Sequence, residues 1–390
     1  MRRVRLKEIG TFYSGLSGKS KSDFSEGNAL LVTYRNIFNN PVLNPAIKDT
    51  VVVGKDEKQN EVLWGDILVT GSSETPADAG MSSVVLFTPQ EKMYLNSFCF
   101  GFRLNDMNEV LPSYIGHLLR STSIRAAISK TAFGVTRFNV NRMRFADIEI
   151  PLPPLNIQKE IVSILDSFTS LIDKMKQEVE MRKKQMEYYR EKLMAPQKNW
   201  EIKTLGEIGT FTRGNGLQKS DFRDKGFPCV HYGQIHTYYN TCIYKTKSFC
   251  EEDFAKKLQK ASYGDLLIAT TSEDVKACCK AAVWFGAGDV AYSGDSFCYS
   301  HDQDPKYMAY LFQTEMFAKQ KQKAATGAKV IRVSGESMAS FSFAIPPLVQ
   351  QRQIASILDT FETYISKLEK MIELRQKQYE YYREKLLTFE

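Results

Sequence analysis

The chain has 390 residues, a formal net charge of +7 at pH 7 and seven scattered cysteines. Its length suffices for two core-forming domains, and the mild basic excess is compatible with nucleic-acid binding without requiring it. No run of about 18 apolar residues offers a membrane span, no apolar segment typical of a signal peptide follows the basic N-terminus, and the odd cysteine count predicts reduced thiols in the cytoplasm.

The first half of the chain predicts a domain that is mainly β with some helix. Short β-branched runs, such as 32–37 and 65–70, are separated by Gly, Asn and Pro turns, as is typical of strands. A helical stretch is predicted to begin near Tyr114. A loop from 131 to 141 and a final strand at 148–150 complete the predicted domain.

Residues 153–193 predict one long helix after this domain. The segment opens with Pro153 and Pro154, and proline fits a helix start but not a helix interior. Apolar residues then alternate at spacings of four and three, which indicates a coiled-coil seam because 3.5 residues per turn keep one stripe facing a partner helix. About 38 helical residues would span roughly 57 Å. The predicted seam consists of Ile161, Leu165, Phe168, Ile172, Met175, Val179 and Arg182.

The second half of the chain repeats the first. Residues 346–386 match 153–193 at a constant offset of 193 positions, and more than half of the residues are identical, so the chain is a tandem duplication. The preceding domain matches more weakly: 205–211 resembles 6–12, and a helical stretch begins near Tyr307. The second predicted seam consists of Ile354, Leu358, Phe361, Ile365, Leu368, Ile372 and Arg375.

This organisation predicts an α+β fold class with two tandem domains, each followed by a long helix. Since each helix follows a domain of similar length, we predict that the two helices pair with each other as an antiparallel coiled coil. The alternative is that each helix packs on its own globular neighbour. The predicted domains are residues 1–150 and 196–344, and the predicted helices are residues 151–195 and 345–390.

Two further pairs of residues occupy matching places in the repeats. Arg182 and Arg375 share one seam position, where each either fixes the register of the helix pair or packs its stem while its charged end reaches water. Cys99 and Cys298 fall in matching Ser-Phe-Cys triplets. We interpret both cysteines as buried strand residues.

The chain contains no motif that supports catalysis or metal binding. HExxH, paired CxxC and GxSxG patterns are absent, as are the sequence signatures of S-adenosylmethionine binding and amino-group methylation. Residues 15–20, GLSGKS, resemble the end of a phosphate-binding loop, but Tyr13 stands where that motif needs Gly or Ala. Asp66 and Asp265, in matching Gly-Asp pairs, are interpreted as turn residues. We therefore predict no catalytic residue, no metal and no cofactor bound by this chain.

Three pairs of polar loops at matching positions are candidates for DNA contact, because their side chains differ between the repeats. Arginine can pair with guanine, and Asn or Gln with adenine, whereas Ser, Thr and Lys suit phosphates. Two lysines of the glycine-rich loop either contact phosphate or lie on a solvated turn, and an ordinary exposed polar side chain is the alternative for every residue. The predicted DNA-binding residues are Lys19, Lys21, Tyr34, Arg35, Asn36, Ser72, Ser73, Thr136, Arg137, Lys219, Tyr232, Gln234, Thr271, Ser272, Lys329 and Arg332.

The sequence resembles the DNA-specificity (S) subunits of type I restriction–modification systems. The resemblance lies in the PPL-x-x-Q entry to each long helix, with Gln158 and Gln351, in the Gly-Asp-Ile/Leu-Leu strand, and in the tandem arrangement, and it covers essentially the whole chain. It implies two target-recognition domains that each recognise one half of a split DNA sequence, and conserved helices that set the spacer between the halves. Because the two domains differ, the implied target is asymmetric.

The same resemblance implies partners. Two methylation subunits would dock on this chain, and motor/nuclease subunits could join them. S-adenosylmethionine, ATP and Mg would be bound by those partner subunits, and this chain would supply specificity for double-stranded DNA without catalysis, in the cytoplasm and without a membrane. A different hypothesis is a coiled-coil assembly scaffold that binds only proteins. The two are distinguished by salt, since DNA binding through phosphates weakens steeply as salt rises.

Overall fold

The structure is a computed structural model that describes residues 2–24 and 26–389. It divides into two units, unit 1 with Met1–Lys176 and Lys370–Glu390, and unit 2 with Gln177–Glu369. Each unit contains one α+β domain, named domain 1 in unit 1 and domain 2 in unit 2. Each unit also contains a part of both long helices.

The first repeat runs from a short N-terminal strand to the end of the first long helix. Its strands are β1 (Arg2–Arg5), β2 (Gly10–Ser14), β3 (Ala29–Val32), β4 (Thr50–Val51), β5 (Ile67–Thr70), β6 (Ser72–Ser73), β7 (Ser82–Val84), β8 (Met93–Leu95), β9 (Cys99–Leu104), β10 (Ala132–Phe133), β11 (Phe138–Val140) and β12 (Glu149–Leu152). Its helices are α1 (Leu6–Ile9), α2 (Tyr34–Asn39), α3 (Pro112–Leu119), α4 (Thr122–Ser129), α5 (Arg142–Ala146) and the long α6 (Leu155–Leu193), with a 3-10 turn at Lys21–Phe24.

The second repeat has a closely similar order of elements. Its strands are β13 (Glu201–Thr204), β14 (Gly209–Arg213), β15 (Phe227–Val230), β16 (Cys242–Ile243), β17 (Ser248–Cys250), β18 (Lys260–Ala261), β19 (Leu266–Ala269), β20 (Thr271–Ser272), β21 (Lys280–Trp284), β22 (Val290–Tyr292), β23 (Ser296–His301), β24 (Ile331–Arg332) and β25 (Ser342–Ile345). Its helices are α7 (Leu205–Ile208), α8 (Tyr232–Thr237), α9 (Glu252–Ala255), α10 (Pro305–Leu311), α11 (Glu315–Ala324), α12 (Gly335–Ala339) and the long α13 (Leu348–Leu387), with a 3-10 turn at Lys219–Asp221.

The core of unit 1 lies on an antiparallel sheet with strand order β2–β9–β5–β7. Helix α3 packs against β5 and β7, and the fully buried rings of Phe100, Phe102, Tyr114 and Phe145 fill the space between them. Strand β1 pairs with β12, directly ahead of α6. The same hydrophobic core reaches Leu165 of α6 and residues of α13, so the long helices are part of the unit and not an appendage.

Unit 2 is built in the same way around a five-stranded sheet with the order β14–β23–β19–β21–β16. Strand β13 pairs with β25 ahead of α13, as β1 pairs with β12 in unit 1. A second sheet, β17–β15–β22–β18, completes the domain. The main core joins Tyr299 and Tyr307 to Ile354 and Leu358 of α13, and Met186 of α6 packs against it.

A buried glutamine fastens each domain to the start of its helix. The side-chain oxygen of Gln158 accepts from the Leu111 backbone N–H at 2.9 Å, while its Nε2 donates to the carbonyls of Glu109 and Pro153, both at 2.9 Å. Gln351 repeats the contact, with Nε2 donating to the Pro346 carbonyl at 2.8 Å. These bonds satisfy buried backbone groups, which explains why glutamine stands in the PPL-x-x-Q motif.

The two long helices pair antiparallel, as predicted. In unit 1 the Phe168 ring stacks on Tyr382, with centroids 5.4 Å apart. In unit 2 the Tyr189 ring stacks on Phe361 at 5.5 Å. Thus, the first part of each helix contacts the last part of the other. All fourteen predicted seam residues are buried or half-buried.

The seam arginines bond along their own helices. Arg182 donates from Nε to Glu178 at 2.7 Å and from Nη1 to Gln185 at 2.7 Å, and its guanidinium lies 5.5 Å from the centroid of the Tyr364 ring. Arg375 donates to Gln378 at 2.6 Å. These contacts favour the interpretation in which the stem packs and the charged end remains half-exposed.

Two predictions about the domains are corrected. The run 32–37 is not one strand: β3 ends at Val32, and Thr33 caps helix α2 by accepting from the Asn36 backbone N–H. The matching of Cys99 with Cys298 is also wrong, although both are buried strand residues. Cys99 pairs with Thr70 in β5, whereas Cys298 pairs with Leu267 in β19. The structural alignment of the two repeats is therefore shifted by two residues from the alignment that the Ser-Phe-Cys triplets suggest.

Asp66 is a turn residue, but it also holds a buried network. Its Oδ2 accepts from the Leu63 backbone N–H at 2.9 Å, which closes the turn. The fully buried carboxylate also accepts two donors of Arg103 and the Tyr13 hydroxyl at 2.7 Å. Burial, followed by the neighbouring Asp66 charge, raises the pKa of Tyr13, so the hydroxyl stays protonated and donates.

Candidate nucleic-acid interface

Two of the three polar loops predicted to contact DNA in domain 1 come together on one side of a cleft. They are the loop with Ser72 and Ser73 and the loop with Thr136 and Arg137. Strand β6 pairs with β11, with Ser72 opposite Asn139 and Ser73 opposite Phe138. This pairing brings residues that are more than 60 positions apart in sequence into one surface. The cleft, named the first cleft, has a volume of about 640 Å³ and is lined by Tyr34, Phe38, Ser72, Ser73, Glu74, Thr75, Asp78, Asn96, Phe98, Thr136 and Arg137.

A tight hairpin loop between β10 and β11 carries two of these side chains. Gly134 has a φ of +133°, and a Cβ atom there would lie 2.0 Å from the Arg137 carbonyl oxygen. Only glycine permits this closure. The loop presents Val135, which is 89% exposed, and the exposed side chains of Thr136 and Arg137.

Arg137 is held in place by two contacts from distant parts of the chain. Its Nε donates to the Ser72 hydroxyl at 3.1 Å. Its guanidinium carbon lies 5.1 Å from the centroid of the Phe98 ring, which is a cation–π arrangement. Phe98 is 56% exposed. The guanidinium is therefore oriented but still accessible.

The predicted DNA-binding residues on helix α2 differ in how accessible their side chains are to DNA. Tyr34 lines the first cleft, and its ring stacks on Phe38 with centroids 5.7 Å apart. Arg35 is exposed outside the cleft lining. The amide of Asn36 donates to the Asn44 carbonyl at 3.1 Å and accepts from the Asn44 N–H at 3.1 Å and from the Asn40 side chain at 2.9 Å. Asn36 therefore stabilises the following loop in this structure.

The two lysines of the glycine-rich loop lie apart from the first cleft. Lys19 forms an ion pair with Glu57, and only 8% of its side chain is exposed. The pairing with Lys19, then the amide of Gln59, lowers the pKa of Glu57 to about 2. Lys21 is exposed in the 3-10 turn. Of the two, Lys21 alone presents its charged group to solvent.

Domain 2 has an equivalent hairpin with different side chains. Strand β20 pairs with β24, with Thr271 opposite Arg332 and Ser272 opposite Ile331. Gly327 has a φ of +100°, and a Cβ atom there would lie 2.1 Å from the Val330 carbonyl oxygen. Lys329 and Arg332 are exposed on this hairpin. The backbone of the two hairpins is therefore the same in form.

A second cleft, of about 640 Å³, lies on domain 2. Its lining is Arg213, Gly214, Asn215, Gly216, Leu217, Gln218, Lys219, His231, Tyr232, Ser293, Gly294 and Asp295. It brings together the predicted residues Lys219 and Tyr232. The pKa of His231 is lowered by burial and then by the Lys219 charge, so this imidazole is held neutral over a wider pH range.

Gln234 is not free for base contact in this structure. Its Oε1 accepts from the His231 backbone N–H at 3.0 Å, and its Nε2 donates to the Ser248 hydroxyl at 2.7 Å. The amide oxygen therefore caps helix α8, and the amide nitrogen ties the helix to strand β17. The hydroxyl of Thr271 donates to Asp295 at 3.2 Å.

Sequence reasoning missed several residues of both clefts. Phe98 and Asn96 line the first cleft, and Arg213, His231 and Asp295 line the second. Phe98 is brought beside β6 by the hydrogen bond from the Gly71 N–H to its carbonyl, at 2.8 Å. No local pattern in the sequence indicates such a contact.

The long helices leave apolar side chains uncovered, in four pairs at matching positions of the repeats and at Met371, whose counterpart is Glu178. These residues are 41–61% exposed. In unit 1 they are Ile164, Leu171, Met371, Leu374 and Tyr381, and in unit 2 they are Met181, Tyr188, Ile357 and Tyr364. Uncovered apolar residues repeated along a helix indicate a surface that binds another protein.

Residues 2–24 and 26–389 offer neither a metal site nor a membrane span. Within them, no group of three His, Cys, Asp or Glu side chains is placed to hold a metal ion. None of the described helices has the length and apolar character needed to cross a membrane.

Comparison with known proteins gives a consistent result. A family model described as the type I restriction modification DNA specificity domain matches twice, over residues 1–181 and 197–376. A putative type I restriction enzyme specificity subunit from Haemophilus influenzae is 30% identical over 66% of this chain and 68% of its own length. The EcoR124I/EcoR124II specificity subunit from Escherichia coli is 28% identical over 62% of this chain and 63% of its own length.

Solved structures share the fold. The S subunit of a type I restriction–modification system from M. genitalium superposes with a TM-score of 0.55 at 15% identity, covering 100% of this chain and 96% of that one. A chain from a study of complex assembly and conformational transition of the type I R-M system gives a TM-score of 0.61 at 14% identity, covering 99% and 97%. The similarity extends over both repeats.

Proposed function

Because the chain belongs to the family of type I restriction–modification DNA specificity subunits, we propose that each of its two target-recognition domains binds one half of a split, asymmetric sequence in double-stranded DNA. The observation that carries this proposal is the pair of hairpins closed by Gly134 and Gly327. They share one backbone form, yet domain 1 presents Thr136 where domain 2 presents Lys329. One framework with two sets of exposed polar side chains suits two different half-sites.

The long helices set the distance between the half-sites in this proposal. They contain 39 and 40 residues, which corresponds to roughly 60 Å. Two recognition domains bound to one face of a duplex must have their centres about 34–36 Å apart. A helix pair of this length can hold them at that distance. The buried amides of Gln158 and Gln351 support the role, because they fix each domain to a defined turn of its helix.

The uncovered apolar residues of α6 and α13 are the proposed docking surface for two methylation subunits. Motor/nuclease subunits would join the resulting complex. S-adenosylmethionine, ATP and Mg would be bound by those partners. The repetition of Met181 as Leu374 and of Tyr188 as Tyr381 supports two equivalent docking sites, since a duplicated surface offers the same contacts twice.

Methylated-base sequencing of genomic DNA tests the proposal directly. The chain is expressed with its methylation subunit, and the methylated positions are mapped. We expect one asymmetric target of two defined half-sites with a spacer of fixed length. Methylation without any sequence preference would contradict the proposal. DNA binding that is insensitive to salt would favour the protein-only scaffold instead.

A further inference from the structure

Three side chains of domain 1 form a small assembly at the rim of the first cleft. Ser72 comes from β6, Phe98 precedes β9, and Arg137 lies at the hairpin between β10 and β11. The Ser72 hydroxyl accepts from Nε of Arg137 at 3.1 Å, and the Phe98 ring lies 5.1 Å from its guanidinium carbon. Three separate segments therefore converge on one guanidinium.

Domain 2 has a different side chain at each of the three equivalent positions. The Gly71 N–H donates to Phe98, and the equivalent Thr270 N–H donates to Asp295, so Asp295 stands in the place of Phe98. The hairpin pairings likewise place Thr271 where domain 1 has Ser72.

The arginine position changes with them. Gly327 closes onto the Val330 carbonyl as Gly134 closes onto the Arg137 carbonyl, so Val330 stands in the place of Arg137. The fold therefore forms without the guanidinium or the ring beneath it. Such an assembly is not required by the framework, and its chemistry belongs to the surface that it forms.

The free edge of Arg137 suits a base and not a phosphate. Its Nε is bonded, while Nη1 and Nη2 make no hydrogen bond within residues 2–24 and 26–389. These two groups form a planar pair of donors that matches O6 and N7 of guanine. Glu74 and Asp78 line the same cleft, and their negative charges disfavour a phosphate there.

We propose that Arg137 recognises a guanine in the half-site bound by domain 1, and that Ser72 and Phe98 are positioning residues that hold the guanidinium for this contact. The proposal rests on the DNA-binding function proposed above. Domain 2 has Val330 at the equivalent place, so the proposal assigns no guanidinium at this position to the second half-site.

The test uses the complex of this chain with its methylation subunits, and duplexes in which single guanines of the target are replaced by 7-deazaguanine. With the wild-type chain, one guanine of one half-site should show a loss of affinity of about tenfold or more, because 7-deazaguanine keeps O6 and loses the one hydrogen bond that N7 accepts from a charged donor. Arg137→Ala should abolish the sensitivity at that guanine alone. Arg137→Lys should restore it only in part, since a lysine can donate to N7 but lacks the planar pair of donors.

Variants of the positioning residues separate orientation from folding. Phe98→Tyr keeps the ring and should keep the discrimination, whereas Phe98→Asp should reduce it with the other half-site unchanged. Arg5→Ala, which removes the same charge from β1, should leave both half-sites unchanged.

Each outcome has one meaning. If Arg137→Ala preserves both half-sites and every 7-deazaguanine effect, the guanine contact is refuted while the bipartite function stands. A target with no G·C pair in either half-site refutes it as well. If the wild-type complex has no bipartite target, the proposed function itself fails.

Discussion

The Cγ2 methyl of Ile128 lies 2.5 Å from the point that a Cβ atom on Gly80 would occupy. Domain 2 packs the same turn differently. Cys279 stands in place of Gly80 with a φ of +63°, and the helix position of Ile128 is taken by Lys321, whose ammonium donates to the Cys278 carbonyl at 2.8 Å. Each turn follows a strand that carries predicted DNA-binding residues, β6 in domain 1 and β20 in domain 2.

Gly80→Ala should therefore destabilise unit 1 by about 2 to 4 kcal/mol, from a strained φ and a clash with Ile128. Gly18→Ala is the matched control, because Gly18 has a similar φ of +67° with no heavy atom near its Cβ position. That variant should lose only about 1 to 2 kcal/mol. Urea denaturation measures both, and equal losses would show that the contact with Ile128 costs nothing.

Removal of the Gln158 amide should destabilise unit 1 by about 2 to 3 kcal/mol, because Gln158→Ala leaves a buried N–H and two carbonyls without partners. The exposed Gln177 lies on the same helix. Gln177→Ala should change the stability by less than about 0.5 kcal/mol. Denaturation of the two variants side by side checks the difference, and a Gln158→Ala midpoint equal to that of Gln177→Ala would contradict it.

Acid should break the pair of Lys19 and Glu57. The folded chain holds the pKa of Glu57 at about 2, below its ordinary 4.5. Because the folded value is the lower one, the pair stabilises the fold above pH 4.5, and its contribution is lost as the pH falls from 4.5 towards 2. In an NMR titration, Lys19→Met should raise the midpoint of the Glu57 carboxyl towards its ordinary value. Lys58→Met, at an exposed lysine next to Glu57 in the sequence, should leave the Glu57 midpoint low. An equal rise in both variants would mean that the overall positive charge of this region, and not the pair with Lys19, lowers the pKa of Glu57.

Charged substitutions on the helices should prevent partner binding. Met181→Asp and Leu374→Asp together place one carboxylate in each proposed docking site, where desolvation opposes it. We expect at least about tenfold weaker binding of methylation subunits in a pull-down titration. The swaps Met181→Leu and Leu374→Met keep the surface apolar and should bind normally. Undiminished binding by the aspartate variant would place the docking surface elsewhere.

Insertion of seven residues into both helices, after Val179 and after Ile372, tests the proposed spacing. One heptad preserves the seam and adds about 10 Å. At about 3.4 Å per base pair, the spacer in the methylated target should lengthen by about 3 base pairs with both half-sites unchanged. A spacer of the original length would rule out a role of the helices in setting it.

The long helices could be predicted from the sequence because two independent signals agreed. The alternation of apolar residues at four and three positions gave the seam, and the duplication gave the same helix twice. Short elements could not be predicted in this way. Helix α2 follows a β-branched run and forms because Thr33 caps it, so one hydrogen bond outweighs the local preference for a strand.

The candidate site was predicted only in outline. The sequence predicted Ser72 and Arg137 in two separate polar loops that match loops of the second repeat, and the structure places these two side chains together. Lys19 and Gln234, however, are bonded to Glu57 and Ser248. Those partners are 38 and 14 positions away, and no periodicity of the sequence reveals such pairs. Phe98 was missed for the same reason.

Unit 1 consists of two stretches that are far apart in the sequence, and this affects how the chain folds during synthesis. Unit 2 is one continuous stretch, whereas the core of unit 1 includes Tyr379 and Leu387. A ribosome adding 5 to 20 residues per second needs roughly 10 to 40 s to pass from residue 176 to these side chains. During that interval Leu165 and its neighbours have no partner helix, so the nascent chain should depend on chaperones until residue 387 has emerged.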